Sequence, residues 1–278
     1  MRIFVAGATG VLGRRIVPAL VAAAHQVTGL ARSAASVRRT GKLGADPVPG
    51  DALDADAVRD AVFAARPDVV LHQLTDLAGG NLAANSALRV HATRHLADAA
   101  RDAGVRRFVA QSIAWAYEPG DRPAGERTPL DVAATGARGR TVEGIVALET
   151  ETARAPEWVV LRYGPLYGPD TWYSRDGAMA DAARRGELAA NGDVASFVHV
   201  ADASAAAVQA LEWPSGAVNV CDGEPAPGNL WVPVFCRAVG ADVPDTSAER
   251  AGSPEARTTR THAILAGSLA GHPGELGF

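Results

Sequence analysis

The sequence predicts an α/β fold, a doubly wound parallel sheet with helices on both faces, followed by a small C-terminal lobe. Three observations carry this. The glycine-rich turn GATGVLG, residues 7–13, follows directly on the apolar run Ile3-Phe4-Val5-Ala6 and opens an amphipathic helix. Up to Arg162, short apolar runs alternate with stretches of helical period, the pattern of repeated strand–helix–strand units. Beyond Arg162 the regularity breaks, and proline, glycine and aromatic residues cluster at 164–174.

The apolar runs place strands at 2–6, 26–30, 46–48, 68–73, 107–111 and 158–162. Helical spacing fills the gaps at 12–24, 33–43, 55–65, 85–103 and 141–153. After the break come a short helix near 177–185, a strand-like stretch at 196–200, a helix at 203–213, an apolar strand at 217–220 and a helix at 231–239. The tail from Asp245 is polar, with weak helix signals at 260–269. The expected division is a dinucleotide-binding unit over 1–165, with 197–221 returning to it, and a small substrate-binding lobe from 166–196 and 222–278.

Composition bounds the function. A chain of 278 residues with 47% apolar and 21% charged residues reads as a globular enzyme, and a net charge of −4 lacks the basic stripe that nucleic acid requires. Of 27 basic residues one, Lys42, is a lysine. Two cysteines, Cys221 and Cys236, make no disulfide framework, so a reduced, cytoplasmic setting is expected. The chain opens on a core strand with no signal-peptide pattern, and no apolar run is long enough to span a membrane. The partner expected is a small-molecule substrate; a homodimer is left open.

The turn order strand, glycine loop, helix is what a dinucleotide pyrophosphate needs, and defines a Rossmann-type unit. Gly7 permits the tight turn, Gly10 admits the phosphates close to the backbone, and Gly13 lets the helix pack against the strand. Thr9, Val11, Leu12 and Arg14 complete the expected phosphate-facing set. Ligands of such sheets lie outside the carboxyl ends of the strands, so chemistry is expected just after Ala6, Leu30, Gln73, Gln111 and Arg162, with Leu74 and Gln111 as cofactor contacts. After the second strand, Ala31 occupies the slot where NAD-preferring folds carry an Asp, and Arg32 and Ser33 follow. An arginine there suits a 2′-phosphate, which points to NADP rather than NAD, with Arg14 assisting. Ser112 ends the fifth strand facing the cleft, and Tyr163 and Tyr167 follow the sixth. These three are the catalytic candidates. His91 and His95 are one helical turn apart but lack a third ligand, so no metal is expected, and no G-x-S-x-G marks a hydrolase. Trp172, Tyr173 and Trp231 are expected as apolar walls for a hydrophobic substrate.

Several segments in order resemble the extended short-chain dehydrogenase/reductase family, its NAD(P)-dependent epimerase/dehydratase-like members. They are GATGVLG; Gly50-Asp51 with Asp54; Val69-Val70-Leu71-His72; Leu161-Arg162-Tyr163-Gly164-Pro165-Leu166-Tyr167-Gly168-Pro169; Phe197-Val198-His199-Val200-Ala201-Asp202; and Val218-Asn219-Val220. The resemblance implies that Asp51, with Ala52 beside it, contacts the adenine. It also implies an active site of Ser/Thr, then a Tyr with a Lys four residues later. Matching Glu149 to the acidic residue that ends that motif places Thr141 at the Tyr and Ile145 at the Lys, Ile113 at the hydroxyl position and Arg89 where an Asn is usual. The site is therefore read as atypical, with Tyr163, Tyr167 or a water on Ser112 replacing the proton donor. The expected function is an NADP-binding oxidoreductase acting on a small carbonyl or hydroxyl compound. The alternatives are a non-redox cyclase, isomerase or lyase on the same fold, and a non-catalytic NADP sensor similar to NmrA-like regulators. In the tail, Ala251-Gly252-Ser253-Pro254 follows the Val243 region sooner than the resemblance implies, so part of the substrate roof is expected to be rebuilt.

Overall fold

A computed structural model describes residues 1–76, 82–120 and 123–244. The expectations for the tail from Asp245, including 260–269 and the Ala251–Pro254 stretch, lie outside the described residues.

The chain alternates as its pattern predicts: β1 (Arg2–Ala6), α1 (Gly13–Ala22), β2 (Gln26–Ala31), α2 (Ala34–Lys42), β3 (Asp46–Pro49), α3 (Ala55–Ala65), β4 (Val69–His72), α4 (Leu82–Ala87), a π-helical turn (Leu88–Ala92), α5 (Thr93–Asp102), β5 (Arg107–Ile113), α6 (Gly136–Thr152) and β6 (Glu157–Tyr163). Then come β7 (Leu166–Tyr167), α7 (Ala178–Arg184), β8 (Val194–Ala195), β9 (Val198–His199), α8 (Val200–Gln209), β10 (Gly216–Val220), β11 (Ala226–Pro227) and α9 (Gly228–Val239). Seven strands form one parallel sheet in the order β10-β6-β5-β4-β1-β2-β3. The order reverses direction between β1 and β4, which opens a crevice at their carboxyl ends.

Successive strand residues point to opposite faces. Ile3 and Val5 join Ile16, Val17 and Leu20 of α1 and Ala203 and Ala207 of α8 in one core. Phe4 and Ala6 join Val58 and Val62 of α3 and Leu96 and Ala99 of α5 in the other. The same alternation acts on β6. Val159, Leu161 and Tyr163 belong to the first core, whereas Arg162 faces α6, where it meets Glu149. A third cluster joins α7 and α9 through Ala180, Ala183, Val232 and Cys236.

Several element ends differ from expectation. The helix expected at 141–153 starts at Gly136. The stretch 196–200 keeps only Val198–His199 as strand, because α8 begins at Val200 with His199 Nδ1 accepting from the Ala201 N–H at 3.3 Å. Helix caps explain two clean starts. Asp54 accepts from the N–H groups of Asp56 and Ala57 at 3.0 and 3.1 Å, and Ser33 and Ser36 form a reciprocal capping box.

Candidate active site

A cleft of about 320 Å³ opens at the sheet's reversal point, lined by Gly7, Thr9 and Gly10 from the glycine turn, by Arg32, Ser33, Ser36 and Arg39 around α2, and by Asp51 and Ala52 after β3. Its inner wall is Gln73, Leu74, Thr75, Asp76 and Leu88. The turn is built for close approach. Gly7 has φ +99°, and a Cβ on it would lie 2.5 Å from the Gln73 carbonyl oxygen. A Cβ on Gly13 would lie 2.1 Å from the Gly7 oxygen, so only glycine lets α1 sit this near the strand end. The first turn of α1 carries no acidic residue and no side-chain cap, so the positive end of the helix meets no competing carboxylate there.

A dinucleotide fits this cleft on a second ground. Gln73 is 4% exposed and lines the cleft, yet neither atom of its amide has a hydrogen-bond partner. A buried amide left unpaired costs free energy, so it is poised for the polar groups of a ligand. Gly7, Thr9 and Gly10 would hold the pyrophosphate, Arg32, Ser33, Ser36 and Arg39 the adenosine end, Asp51 and Ala52 the adenine, and Gln73 and Leu74 the inner end.

Some expected contacts lie elsewhere. Val11, Leu12, Gly13, Arg14 and Gln111 do not line the cleft. Leu12 is packed in the core, and Gly13 acts through packing. Arg14 corrects the expectation of a 2′-phosphate contact: its guanidinium pairs with Asp170 at 3.5 Å, as does that of Arg15 at 3.3 Å, and so ties α1 to the segment after β7. Arg39 and Ser36, not singled out from the sequence, line the cleft where Arg14 does not. With Ser33 they recur every three residues, a helical spacing that marks one face of α2.

The catalytic candidates are not brought together. Ser112 is buried, and its hydroxyl donates to Glu149 Oε1 at 2.8 Å. Tyr163 is 2% exposed and its hydroxyl donates to the Ala203 carbonyl at 3.1 Å in the α8 core. Burial pushes its phenol well above the ordinary value. This corrects its assignment as proton donor, and the cause is strand parity: one residue past Arg162, which faces α6, Tyr163 faces α1 and α8. Tyr167, 39% exposed, stacks edge-on against His199 and Phe197. Its phenol is also raised, by desolvation and then by Asp222 and Asp202. The Thr141 hydroxyl donates to the Ala137 carbonyl at 3.1 Å, and Ile145 is fully buried. Of the expected walls, Tyr173 and Trp231 pack edge-on with each other and with Phe197 and Phe235, whereas Trp172 is 39% exposed. His95 Nδ1 lies 3.0 Å from the Ala52 carbonyl oxygen, which ties α5 to the turn after β3.

Two groups behind the inner wall escaped sequence reading. At the end of β4, His72 is sealed in the core. Its Nδ1 accepts from the Leu74 N–H at 3.3 Å, which leaves Nε2–H to donate to Thr93 Oγ1 at 2.9 Å. Burial, with the nearby Arg89 charge, pushes its pKa down to about 4. Folding thus favours the neutral ring. Its contribution is complete above pH 6.5, the unfolded value, and is lost as pH falls towards 4, an effect of about 3 kcal/mol. Urea melts from pH 7 to 4 are expected to show a steeper loss of stability in the wild type than in His72→Asn; equal slopes would refute this.

A buried polar network beyond it joins three strands. Arg162 Nε and Nη2 donate to Glu149 at 3.0 and 2.6 Å, and Nη1 donates to Tyr117 Oη at 2.9 Å and to the Glu126 carbonyl at 3.1 Å. Tyr117 in turn donates to Asn219 Oδ1 at 2.5 Å.

Comparison with known proteins agrees with this architecture. The chain is 44% identical over 259 residues, 88% of its length and 84% of the relative's, to a Streptomyces sp. protein named 3-diazoavenalumate denitrifying reductase. Among solved structures, the Bordetella bronchiseptica enzyme WbmG in complex with NAD and UDP is similar with a TM-score of 0.76 at 22% identity, covering 100% of this chain and 91% of that one. UDP-glucose 4-epimerase of Thermotoga maritima with UDP-glucose is similar with a TM-score of 0.74 at 19% identity, covering 96% and 90%. These two likenesses show the shared fold. The family model described as NAD dependent epimerase/dehydratase matches residues 3–221, most of the chain, and the chain belongs to that family.

Proposed function

We propose that this enzyme is an NADP(H)-dependent reductase that delivers hydride to a small aromatic substrate bearing a diazo group. The observation that carries the reading is the 44% identity, along nearly the whole chain, to a reductase named for a diazo substrate.

The chemistry supports it. Reducing a carbonyl leaves an alkoxide that needs a proton, the task of a Tyr-x-x-x-Lys pair. That pair is absent by count: Lys42 is the sole lysine, and Arg38 stands four residues before it. Thr141 and Tyr163 have their hydroxyl protons committed to backbone carbonyls. An aryl diazonium needs no such donor. The cation takes up one hydride, the C–N bond breaks, and arene and N2 result, with atoms and charge in balance. A bound reduced nicotinamide dinucleotide supplies that hydride. The residues of the chain bind and orient: Gly7, Gly10 and the start of α1 hold the diphosphate, Gln73 the inner end, and Arg32 and Arg39 a 2′-phosphate. Tyr167, open beside His199 and Phe197, offers an aromatic face to the substrate.

The test is anaerobic turnover of an aryl carboxylate bearing a diazo group with NADPH, following N2 by mass spectrometry and NADPH by absorbance. One N2 per NADPH oxidised is expected. Thr141→Ala and Tyr163→Phe are expected to stay within about threefold of wild type, against the hundredfold or greater loss typical of a missing general acid. Consumption of NADPH by ketones or aldehydes but not by the diazo compound would overturn the reading.

A further inference from the structure

Arg89 lies in the π-helical turn Leu88–Ala92, beside Leu88 of the cleft wall. It is 7% exposed. Among the described residues its guanidinium has neither a carboxylate within ion-pair distance nor a hydrogen-bond partner. The Nε of Arg14 is sealed and unpaired, but no nitrogen of Arg89 is, so the Arg89 fork keeps access to open space. Burial pushes its pKa down to about 10. The groups around it do not neutralise it. His72 is held neutral, and Glu149 of α6 is committed to Arg162 and Ser112. The facing position on α6 is Gly144, where an added Cβ would come within 3.6 Å of the Arg89 side chain. An unpaired buried charge is expensive, and a fold keeps one where a ligand completes it. The planar, two-pronged donor matches a carboxylate. Single-turn π-bulges recur at functional sites for the same reason, since they turn one side chain out of the helical ladder.

We propose that Arg89 is the substrate-anchoring residue of the site and binds the carboxylate of an aromatic acid. This rests on the reductase reading above and adds the residue that holds the carboxylate of its substrate. Arg89 is then a binding group, with the reacting carbon placed at a fixed distance from the carboxylate that it holds.

The probes are 4-hydroxybenzoate and its uncharged counterpart 4-hydroxybenzamide, titrated calorimetrically into the wild-type protein saturated with NADPH, and into Arg89→Gln and Arg89→Lys. The acid is expected to bind at least about tenfold tighter than the amide, as one charge-assisted bidentate contact allows. Arg89→Gln is expected to abolish that preference and Arg89→Lys to retain part of it. NADPH affinity should change less than about twofold in both. The ligand-free Arg89→Gln protein should melt at or above the wild-type temperature, because it loses an uncompensated buried charge; a merely structural arginine would lower it. The proposal is overturned if the acid shows no preference in the wild type, if the preference survives in Arg89→Gln, or if Arg89→Gln weakens NADPH and leaves the acid unaffected. Failure of NADPH itself to bind the wild type would instead overturn the reductase reading.

Discussion

NADPH is expected to bind at least about tenfold more tightly than NADH, and the preference is expected to vanish in the Arg32→Ala/Arg39→Ala double variant. Both arginines line the cleft, Arg32 just after β2 and Arg39 on α2, together with Ser33 and Ser36. Neither arginine makes an ion pair among the described residues, so neither must give up a partner to meet a phosphate. Ala31 leaves the strand end without the carboxylate that would bind a ribose 2′-hydroxyl and repel a 2′-phosphate. A charge-assisted contact is worth roughly 1.5–3 kcal/mol, about one to two orders of magnitude in affinity; exposure of both arginines places each single variant near the lower end. Fluorescence or calorimetric titration of both nucleotides against wild type, the two single variants and the double variant decides it. Equal affinity for the two nucleotides in the wild type, or a preference that outlives both substitutions, would refute the assignment. Arg14→Ala serves as the internal contrast: with its guanidinium turned to Asp170, it should leave the NADPH-to-NADH ratio unchanged.

The strand–helix order and the glycine turn were legible because local pattern dictates them. Ile3 and Val5 against Phe4 and Ala6 already encode a strand buried on both faces. Gly7 and Gly13 encode a turn that no residue with a Cβ can make. The side-chain assignments after the sixth strand were not legible in the same way. Whether Arg162 or Tyr163 faces α6 depends on the register of β6 in the finished sheet, and one residue of parity sends the phenol to the Ala203 carbonyl. Arg14 is similar. Its turn toward Asp170 joins positions 156 residues apart, which no local spacing announces. Arg39 was within reach of sequence reading, since Ser33, Ser36 and Arg39 share a helical spacing, but it lies past the strand end where attention falls. The partners of Ser112, Tyr117 and Asn219 come from five separate segments, so the network they form exists only once the sheet is assembled.

That network carries the second large effect. Glu149→Leu alone, or Arg162→Leu alone, is expected to destabilise the fold by about 3–5 kcal/mol, while the double replacement is expected to recover most of the loss. The pair is buried, and the carboxylate takes two guanidinium donors from Arg162 and the hydroxyl of Ser112. Removing either partner strands a charge away from water, whereas removing both exchanges the pair for apolar volume. The consequences differ by side. Without Arg162, Tyr117 loses the Nη1 donor and the 5.0 Å cation–ring contact, and the Glu126 carbonyl loses its Nη1 donor, so the segment between β5 and α6 loosens. Without Glu149, Arg162 keeps Tyr117, but Ser112 loses its acceptor. The loosened segment also meets β10, since the Asn219 N–H donates to Glu126 Oε1 at 3.1 Å. Arg162→Leu is therefore expected to raise amide exchange in residues 117–131 more than Glu149→Leu does, at matched loss of stability. Denaturant melts of the four proteins give the coupling energy, and hydrogen exchange by mass spectrometry gives its location. A coupling below about 1 kcal/mol, the range of an exposed ion pair, would show that solvent screens the pair and that the network does not hold the carboxyl edge of the sheet together.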